Sequence, residues 1–256
     1  MGILEGRVVL ISGAGRGIGR GIARALAREG AAISIAEIDP STGADAAAEL
    51  EGLGARVLAN VCDVRDRAQV EQTVKATVAA LGRLDILINN ATGASKDDLY
   101  GPAVLQTDEQ FDRLLDTDVK GAFFMMRACF PHLDASDAGR VVNISSCDGS
   151  EFAPFMAAYT TAKEALRALT GSIAKEWGAH GVTVNCVCPN ASTDGLAEYW
   201  AMYPDQQTAY LARTPMGREG DAETDVGRTI VFLVGPDASY ITGQTINVDG
   251  GYVSHA

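Results

Sequence analysis

The chain has 256 residues, of which 47% are hydrophobic and 21% charged, and its formal net charge is −12. This length and composition fit one large folded domain with a substantial core and exclude a disordered chain. An acidic chain without a run of Lys or Arg is unsuited to nucleic acid or an anionic membrane as its main partner.

The N-terminal stretch "MGILEGRVVLISG" passes directly into a strand-like segment and has neither a basic region nor a signal-type apolar core. No apolar run approaches the roughly 18 residues of a membrane span. Five cysteines without a CxxC pair favour reduced, mostly buried thiols. We therefore expect a cytoplasmic protein. No metal site is expected, because His132, His180 and His255 lack metal-ligand spacing.

Short apolar runs alternate with longer stretches of helical period along the chain. The predicted strands are "RVVLIS", "AAISIAE", "RVLANVCD", "LDILIN", "RVVNIS", "VTVNCVC" and "QTINVD". Nearly continuous apolar strands are typical of parallel sheets that helices cover on both faces. The pattern predicts an α/β fold with right-handed crossovers, organised as a single domain over residues 1–256.

Residues 190–220 interrupt this alternation with a segment that has no clean strand but carries Tyr199, Trp200, Tyr203 and Tyr210. A long excursion after the sixth strand lies at the carboxyl end of the sheet, where ligands bind in such folds. We interpret it as a substrate loop or lid. Its aromatics either line a pocket for a bulky apolar or cyclic alcohol or ketone, or form a small core of the lid itself.

The stretch "ISGAGRGIGRGIARAL" follows the first strand and opens the first helix. Its Gly13, Gly17 and Gly19, with Ile18 between the last two, allow a tight turn and a close approach to a pyrophosphate. The helix N-terminus adds free N–H groups and a positive dipole end. This strand–turn–helix setting predicts a dinucleotide site.

Two charged residues bear on the choice of dinucleotide. Glu37 ends the second strand, where a carboxylate accepts hydrogen bonds from ribose hydroxyls and repels a 2′-phosphate. Arg16, inside the glycine loop, is either a solvated loop residue or a partner for that phosphate. We judge Glu37 the stronger influence and predict NAD(H) over NADP(H).

A second pattern lies in "SSCDGSEFAPFMAAYTTAKEAL", residues 145–166. Tyr159 and Lys163 are four positions apart and share one face of a helix, and Ser146 precedes them across a loop. A phenol has a pKa near 10, and a neighbouring ammonium favours its ionised form. The three residues therefore suit proton transfer at a carbon–oxygen centre, with Ser146 binding the substrate oxygen. Cys147 as a nucleophile is a weaker interpretation, because no His lies nearby in the sequence.

Taken together, these segments resemble the short-chain dehydrogenase/reductase family over nearly the whole chain. The resemblance rests on "SGAGRGIG" at 12–19, "CDV" at 62–64, "LDILINNA" at 84–91, "RVVNISS" at 140–146, "YTTAK" at 159–163, "VNCVCP" at 184–189 and "TGQTINVDGG" at 242–251. It implies a single-domain, Rossmann-type, doubly wound sheet of about seven parallel strands. It also implies interconversion of a secondary alcohol and a ketone with NAD(H) or NADP(H).

The resemblance also implies roles for individual residues. Ser146 and Tyr159 correspond to the catalytic serine and tyrosine of the family. The implied cofactor contacts are Asp63 and Val64 for the adenine, Asn90 and Ala91 for the adenosine ribose, Lys163 for the nicotinamide ribose and the backbone near Ser192 for the carboxamide.

Three positions depart from the family pattern. Asp118 replaces an asparagine whose main-chain carbonyl helps to hold a water in a proton relay from the lysine. Aspartate keeps the carbonyl but loses the amide donor, so we expect activity with a shifted pH profile. Thr92 replaces the glycine of "NNAG", and Asn190 replaces the glycine after Pro189. Asn190 tolerates a left-handed turn, and either Thr193 or Asp194 takes the place of the family's threonine.

Two other functions compete with this interpretation. A 3-oxoacyl carrier-protein reductase, NADP(H)-dependent, would use basic residues before the fifth strand, where this chain has Asp134 and Asp137. A redox-sensing protein with a weakened site finds support only in Asp118 and Thr92. Family members commonly assemble through the two long helices on either side of the fifth strand. We therefore expect a homotetramer, or a homodimer, and a monomer-sized elution peak would contradict it.

Overall fold

The computed structural model describes residues 2–95 and 99–253, with residues 194 and 195 described by their backbone alone. His255, one of the three histidines considered above, lies outside the described residues. Within this part of the chain, no helix is both long enough and apolar enough to span a membrane.

Seven parallel strands form one sheet in the order β3-β2-β1-β4-β5-β6-β7. The strands are β1 Val8–Ser12, β2 Ala32–Glu37, β3 Val57–Val61, β4 Ile86–Asn89, β5 Arg140–Ile144, β6 Thr183–Pro189 and β7 Thr245–Val248. Each lies within one of the seven predicted segments, except that β6 extends one residue further, to Pro189. The doubly wound parallel sheet expected from the sequence is confirmed.

Helices connect the strands and cover both faces of the sheet. They are α1 Gly17–Arg28, α2 Pro40–Gly52, α3 Arg67–Leu81, α4 Asp108–Leu114, α5 Ala122–Asp134, the short α6 Cys147–Ser150, α7 Ala157–Trp177, α8 Asp194–Met202, α9 Pro204–Arg213 and α10 Arg228–Val234. Side chains of β1 alternate between the faces, as strand geometry requires. Val9 and Ile11 belong to the core under α1 and α10, whereas Leu10 belongs to the core under α3, α5 and α7.

The stretch "EQFDRLLDTDVKGAFFMMRACFPHL", residues 109–133, is one of the long segments of helical period, but it does not form one continuous α-helix. A π-helical segment, Leu115–Gly121, joins α4 to α5. It packs against the start of α7, where Leu115 and Val119 contact the apolar cluster that includes Ala158 and Ala162. Such widened turns are rare and occur often at functional sites.

Buried polar contacts fix α7 against the sheet. Asn89 at the end of β4 donates to Asn143 of β5 at 2.8 Å, and Asn143 donates to Thr170 of α7 at 2.9 Å. The Ser145 hydroxyl donates to the carbonyl of Lys163 at 3.1 Å. Because these three hydrogen bonds are buried, they hold α7 in one register relative to the ends of β4 and β5.

Candidate active site

A cleft of about 880 Å³ opens at the carboxyl edge of the sheet. It lies where β1 is flanked by β2 and β4, so the strand order reverses there, as at ligand sites of doubly wound folds. Every predicted site residue except Asp118 and Ser192 lines it: Gly13, Arg16, Gly17, Ile18, Gly19, Glu37, Asp63, Val64, Asn90, Ala91, Ser146, Tyr159 and Lys163.

The glycine loop has the backbone that a pyrophosphate requires. Gly13 and Gly17 have φ of 68° and 57°, which a side chain would strain. A Cβ on Gly19 would lie 2.2 Å from the Gly13 carbonyl oxygen. Gly17, Ile18 and Gly19 form the first turn of α1 and line the cleft. The N-cap residue Arg16 makes no side-chain hydrogen bond to their N–H groups. The loop therefore fits the phosphates of a dinucleotide.

Asn90 and Ala91 hold this loop in place from β4. The Asn90 amide donates to the Gly13 carbonyl at 2.7 Å. The backbone N–H groups of Asn90 and Ala91 both donate to the Ser12 hydroxyl at 3.1 Å. Both residues therefore shape the cofactor loop, whatever contact they also make with a bound ribose.

At the other end of the loop, the Glu37 carboxylate is anchored by backbone donors. Oε2 accepts from Gly15 N–H at 2.9 Å, and Oε1 accepts from Ile38 N–H at 3.0 Å. Arg16 is exposed beside it. A fixed negative charge at this edge faces the position expected for the adenosine ribose.

Arg65 is a cleft residue that the sequence analysis missed. Its guanidinium binds the Asp63 carboxylate in a bidentate pair with a shortest distance of 2.7 Å. Hydrogen bonds from Arg65 hold the pKa of Asp63 below its usual value. The sequence signal that could have found Arg65 is its position two residues after Asp63, at the end of the predicted strand.

The proposed catalytic groups converge at the inner end of the cleft. Ser146 follows β5 and caps α6, where its hydroxyl accepts from Asp148 N–H at 3.1 Å. Tyr159 lies in the first turn of α7, close enough to Ser146 for that side chain to favour the ionised form of its hydroxyl. The Lys163 ammonium lies 5.5 Å from the centre of the Tyr159 ring. The fold thus brings together the three groups expected to act at one carbon–oxygen centre.

The electrostatic setting of Tyr159 differs from the expectation. Burial of the hydroxyl raises the pKa of Tyr159, and this outweighs the opposite effects of Lys163 and Ser146. Burial lowers the pKa of Lys163, but the charge of Asp118 prevails and raises it. Lys163 still favours the ionised phenol, but the Asp118 carboxylate paired with it acts on the pKa of Tyr159 in the opposite direction.

Asp118 lies behind the cleft and not in its lining. Its side chain is wholly buried in the π-helical segment, and Oδ2 forms an ion pair with Lys163 Nζ at 2.8 Å. Thr92 donates to the same oxygen at 2.9 Å, and Gly93 N–H donates to Oδ1 at 2.7 Å. The two departures at positions 92 and 118 are therefore in contact with each other.

The turn after β6 differs from the predicted arrangement. Ser192 itself is not in the cleft lining, and its N–H donates to the Gly220 carbonyl at 2.9 Å next to the Ala191–Gly220 bridge. The lining residue is Thr193, whose hydroxyl caps α8 at Leu196 N–H. Asn190 is not left-handed, since Phe152 and Phe155 alone among the described non-glycine residues have positive φ.

The lid region 190–220 contains α8 and α9, and its aromatics contact one another. Trp200 lies 5.1 Å from Tyr199 and 5.2 Å from Tyr210, measured between ring centres. Tyr100, from the facing loop, stacks on Tyr199 at 6.5 Å. Trp200 is only 8% exposed, so part of this cluster is a core of the lid itself. The Tyr100–Tyr199 pair joins the lid to the loop that follows β4.

All five cysteines are buried. Burial raises the pKa of the Cys147 thiol, which disfavours the thiolate that a nucleophile needs.

Comparison with known proteins agrees with this geometry. A family profile described as Enoyl-(Acyl carrier protein) reductase matches residues 13–253. The chain is 37% identical to a 12alpha-hydroxysteroid dehydrogenase of Clostridium sp., over 98% of both chains. Its fold is that of NAD⁺-bound xylitol dehydrogenase, with a TM-score of 0.90, 29% identity and coverage of 97% of this chain and 99% of the other. It also matches the 3-ketoacyl-(acyl-carrier-protein) reductase of Brucella melitensis complexed with NADH, with a TM-score of 0.86, 30% identity and coverage of 97% and 99%. The chain belongs to the short-chain dehydrogenase/reductase family and is an NAD(P)-dependent oxidoreductase that interconverts alcohols and ketones.

Proposed function

We propose that this enzyme interconverts a bulky, cyclic secondary alcohol and its ketone with NAD(H). The observation that carries the proposal is the convergence of Ser146, Tyr159 and Lys163 beneath an aromatic lid. The similarity to a hydroxysteroid dehydrogenase supports a polycyclic substrate.

The loop between Ser146 and Tyr159 adds apolar surface near the site. Phe152 and Phe155 are 74% and 61% exposed, and both have positive φ. Strained backbone and exposed aromatic rings are costly unless they serve a ligand or a partner. A hydrophobic substrate that covers them offsets that cost.

The chain's own residues divide the chemistry between them. Bound NAD(H) supplies or accepts the hydride. The Ser146 hydroxyl donates a hydrogen bond to the substrate oxygen and stabilises the charge that develops there. The Tyr159 hydroxyl gives its proton to that oxygen in reduction and takes it back in oxidation. Lys163 fixes the position of the phenol, and its remaining N–H is directed to the cofactor ribose.

We expect the wild-type enzyme, assayed in alkaline solution, to oxidise a hydroxysteroid with NAD⁺ and to turn over a small acyclic alcohol far more slowly. A panel of hydroxysteroids, cyclohexanols and short acyclic alcohols, followed by NADH absorbance, measures this. The proposed specificity would be contradicted if acyclic alcohols reacted as fast as the hydroxysteroids.

A 3-oxoacyl thioester is the second candidate, favoured by the structural match to a ketoacyl carrier-protein reductase. Asp134 and Asp137 do not argue against it, because they precede β5 and lie at the sheet edge opposite the cleft. Faster reduction of an acetoacetyl thioester than of any cyclic ketone would make this the better assignment.

The cofactor preference is proposed to follow from Glu37. We expect tighter binding of NADH than of NADPH, and we expect Glu37→Gln to shift the ratio at least tenfold toward NADPH. The reason is that a carboxylate about 4 Å from a 2′-phosphate repels it by about 4 kcal/mol per charge pair at an effective dielectric near 20. Glutamine keeps the carbonyl oxygen that accepts from Gly15 N–H and removes the charge.

Fluorescence titration with each reduced dinucleotide measures this ratio. Arg16→Ala is the matched test of the opposing charge and should weaken NADPH more than NADH. A wild-type enzyme that binds NADPH more tightly would refute the role given to Glu37.

We also propose that the protein assembles as a homotetramer or homodimer through α4, α5 and α7. Support comes from Phe111 and Phe123, which are 36% and 39% exposed on α4 and α5. Arg127 lies over the Phe123 ring at 5.3 Å. Such a surface is typical of an interface.

A further inference from the structure

The buried ion pair of Asp118 and Lys163 has a consequence for Tyr159. The two charged atoms are 2.8 Å apart, and their side chains are 0% and 4% exposed. At this depth solvent screens the pair weakly. To a group nearby, the pair therefore acts as a dipole and not as a free positive charge.

The contacts of Asp118 explain why a carboxylate suits this position. Three donors converge on it: the Lys163 ammonium, the Thr92 hydroxyl and the Gly93 N–H. An ionised carboxylate is an acceptor at both oxygens, whereas an amide would turn its NH₂ toward one of these donors. Thr92 supplies a hydroxyl donor that glycine lacks, so a hydrogen bond links the side chains of residues 92 and 118.

We propose that Asp118, positioned by Thr92, offsets the charge of Lys163, so that Tyr159 remains a protonated acid and the enzyme reduces ketones near neutral pH, oxidising alcohols efficiently only in alkaline solution. This inference rests on the proposed function and adds to it a preferred direction and its pH dependence.

The charges that face Tyr159 from the surrounding elements agree with this. Among the described charged groups with the largest influence on its hydroxyl, Lys163 on α7 is a cation, and Asp118 on the π-helical segment and Asp148 on α6 are anions. The Tyr100 phenol also faces it, from the loop after β4. Anions outnumber cations at the site, which favours the neutral phenol. The raised pKa of Tyr159, caused first by burial, points the same way.

Lys163 is also fixed by this arrangement. Its ammonium donates to Asp118 and to the Ile144 carbonyl, the latter at 3.2 Å. An ammonium has three N–H donors, so one is left for a bound ribose. Asp118 and Thr92 are therefore positioning residues that act through Lys163.

The test is Asp118→Asn, with Asp116→Asn as its matched control. Asp116 belongs to the same π-helical segment but pairs with Lys120 at 2.6 Å on the exposed side. Removing the buried charge should lower the midpoint of Tyr159 ionisation by about one pH unit or more. The control should leave it in place.

Two readouts measure this midpoint. The first is ultraviolet difference titration of tyrosinate, with each protein compared to its Tyr159→Phe counterpart, and it needs neither substrate nor turnover. The second is the pH profile of kcat/KM for alcohol oxidation, which should move to lower pH in Asp118→Asn. An unchanged midpoint in folded Asp118→Asn would overturn the inference.

Thr92→Val separates positioning from charge, and it tests the positioning role of Thr92 even if Asp118→Asn fails to fold. It removes one hydrogen bond to the carboxylate and keeps the carboxylate itself. We expect weaker NADH binding, by several-fold, with the tyrosine midpoint within a few tenths of a pH unit of wild type. Wild-type NADH affinity in Thr92→Val would overturn the role of Thr92. Absence of turnover in the wild-type enzyme would sink the proposed function, while the tyrosinate titration would still decide this inference.

Discussion

Tyr159→Phe is expected to lower kcat by about a thousandfold, in line with the usual contribution of a positioned general acid or base. Phenylalanine keeps the ring against Lys163 but removes the proton that the substrate oxygen gives up or receives. Because the ring does not hold the phosphates or the adenosine, we expect NADH affinity to change by less than a few-fold. Initial rates with saturating cofactor and a fluorescence titration separate the two effects.

Tyr240→Phe provides the control for this experiment. Its side chain is fully exposed, and the same hydroxyl is deleted there. We expect wild-type rates. If Tyr159→Phe kept more than a tenth of the wild-type kcat, another group would have to transfer the proton.

The second large effect concerns stability. Asp85→Ala is expected to destabilise the fold by about 3 kcal/mol, because it removes a wholly buried carboxylate and leaves its donors without that acceptor. The wholly buried carboxylate accepts from Val8 N–H at 2.9 Å, from Arg83 and from the Ser136 hydroxyl at 2.5 Å. Val8 N–H lies in the sheet and has no access to water as a replacement.

Urea denaturation followed by circular dichroism measures this change. Asp137→Asn is the matched control. Asp137 forms ion pairs with the same two arginines, Arg7 and Arg83, but its side chain is 71% exposed. We expect little change there, since exposed ion pairs are well screened. Asp85 precedes β4 at the edge opposite the cleft, so the folded fraction of Asp85→Ala should keep wild-type kcat. Equal stability of the two variants would show that the buried Asp85 carboxylate stabilises the fold no more than the exposed Asp137 carboxylate does.

Much of the candidate site could be predicted because its contacts are local or periodic. The glycine loop requires a strand, a turn and a helix within a short stretch, and "ISGAGRGIGRGIARAL" shows all three. Tyr159 and Lys163 share a face by helical spacing alone. Glu37 could be located because a strand's end marks the sheet edge. Their roles in binding and catalysis remain predictions.

Other features depend on contacts between residues far apart in the chain. Thr92 and Asp118 are 26 positions apart in the chain, so the sequence does not indicate that they are in contact. In the structure their side chains form a hydrogen bond of 2.9 Å. Which residue of the turn after β6 enters the cleft also depends on such contacts: Ser192 N–H donates to the Gly220 carbonyl, and Thr193 lines the cleft. The π-helical turn within the long predicted helix has no periodic signature.

By itself, the sequence determined the class of fold, the order of its strands and helices and the identity of the groups that face one another within a turn or two. Apolar periodicity, glycine placement and helical spacing act over a few residues and are legible in any single chain. Only the tertiary structure decided the electrostatic state of the site. Whether Lys163 is a free cation or half of an ion pair depends on which side chain the packed π-helical segment places beside it, and charge interactions follow distance in space and not separation along the chain.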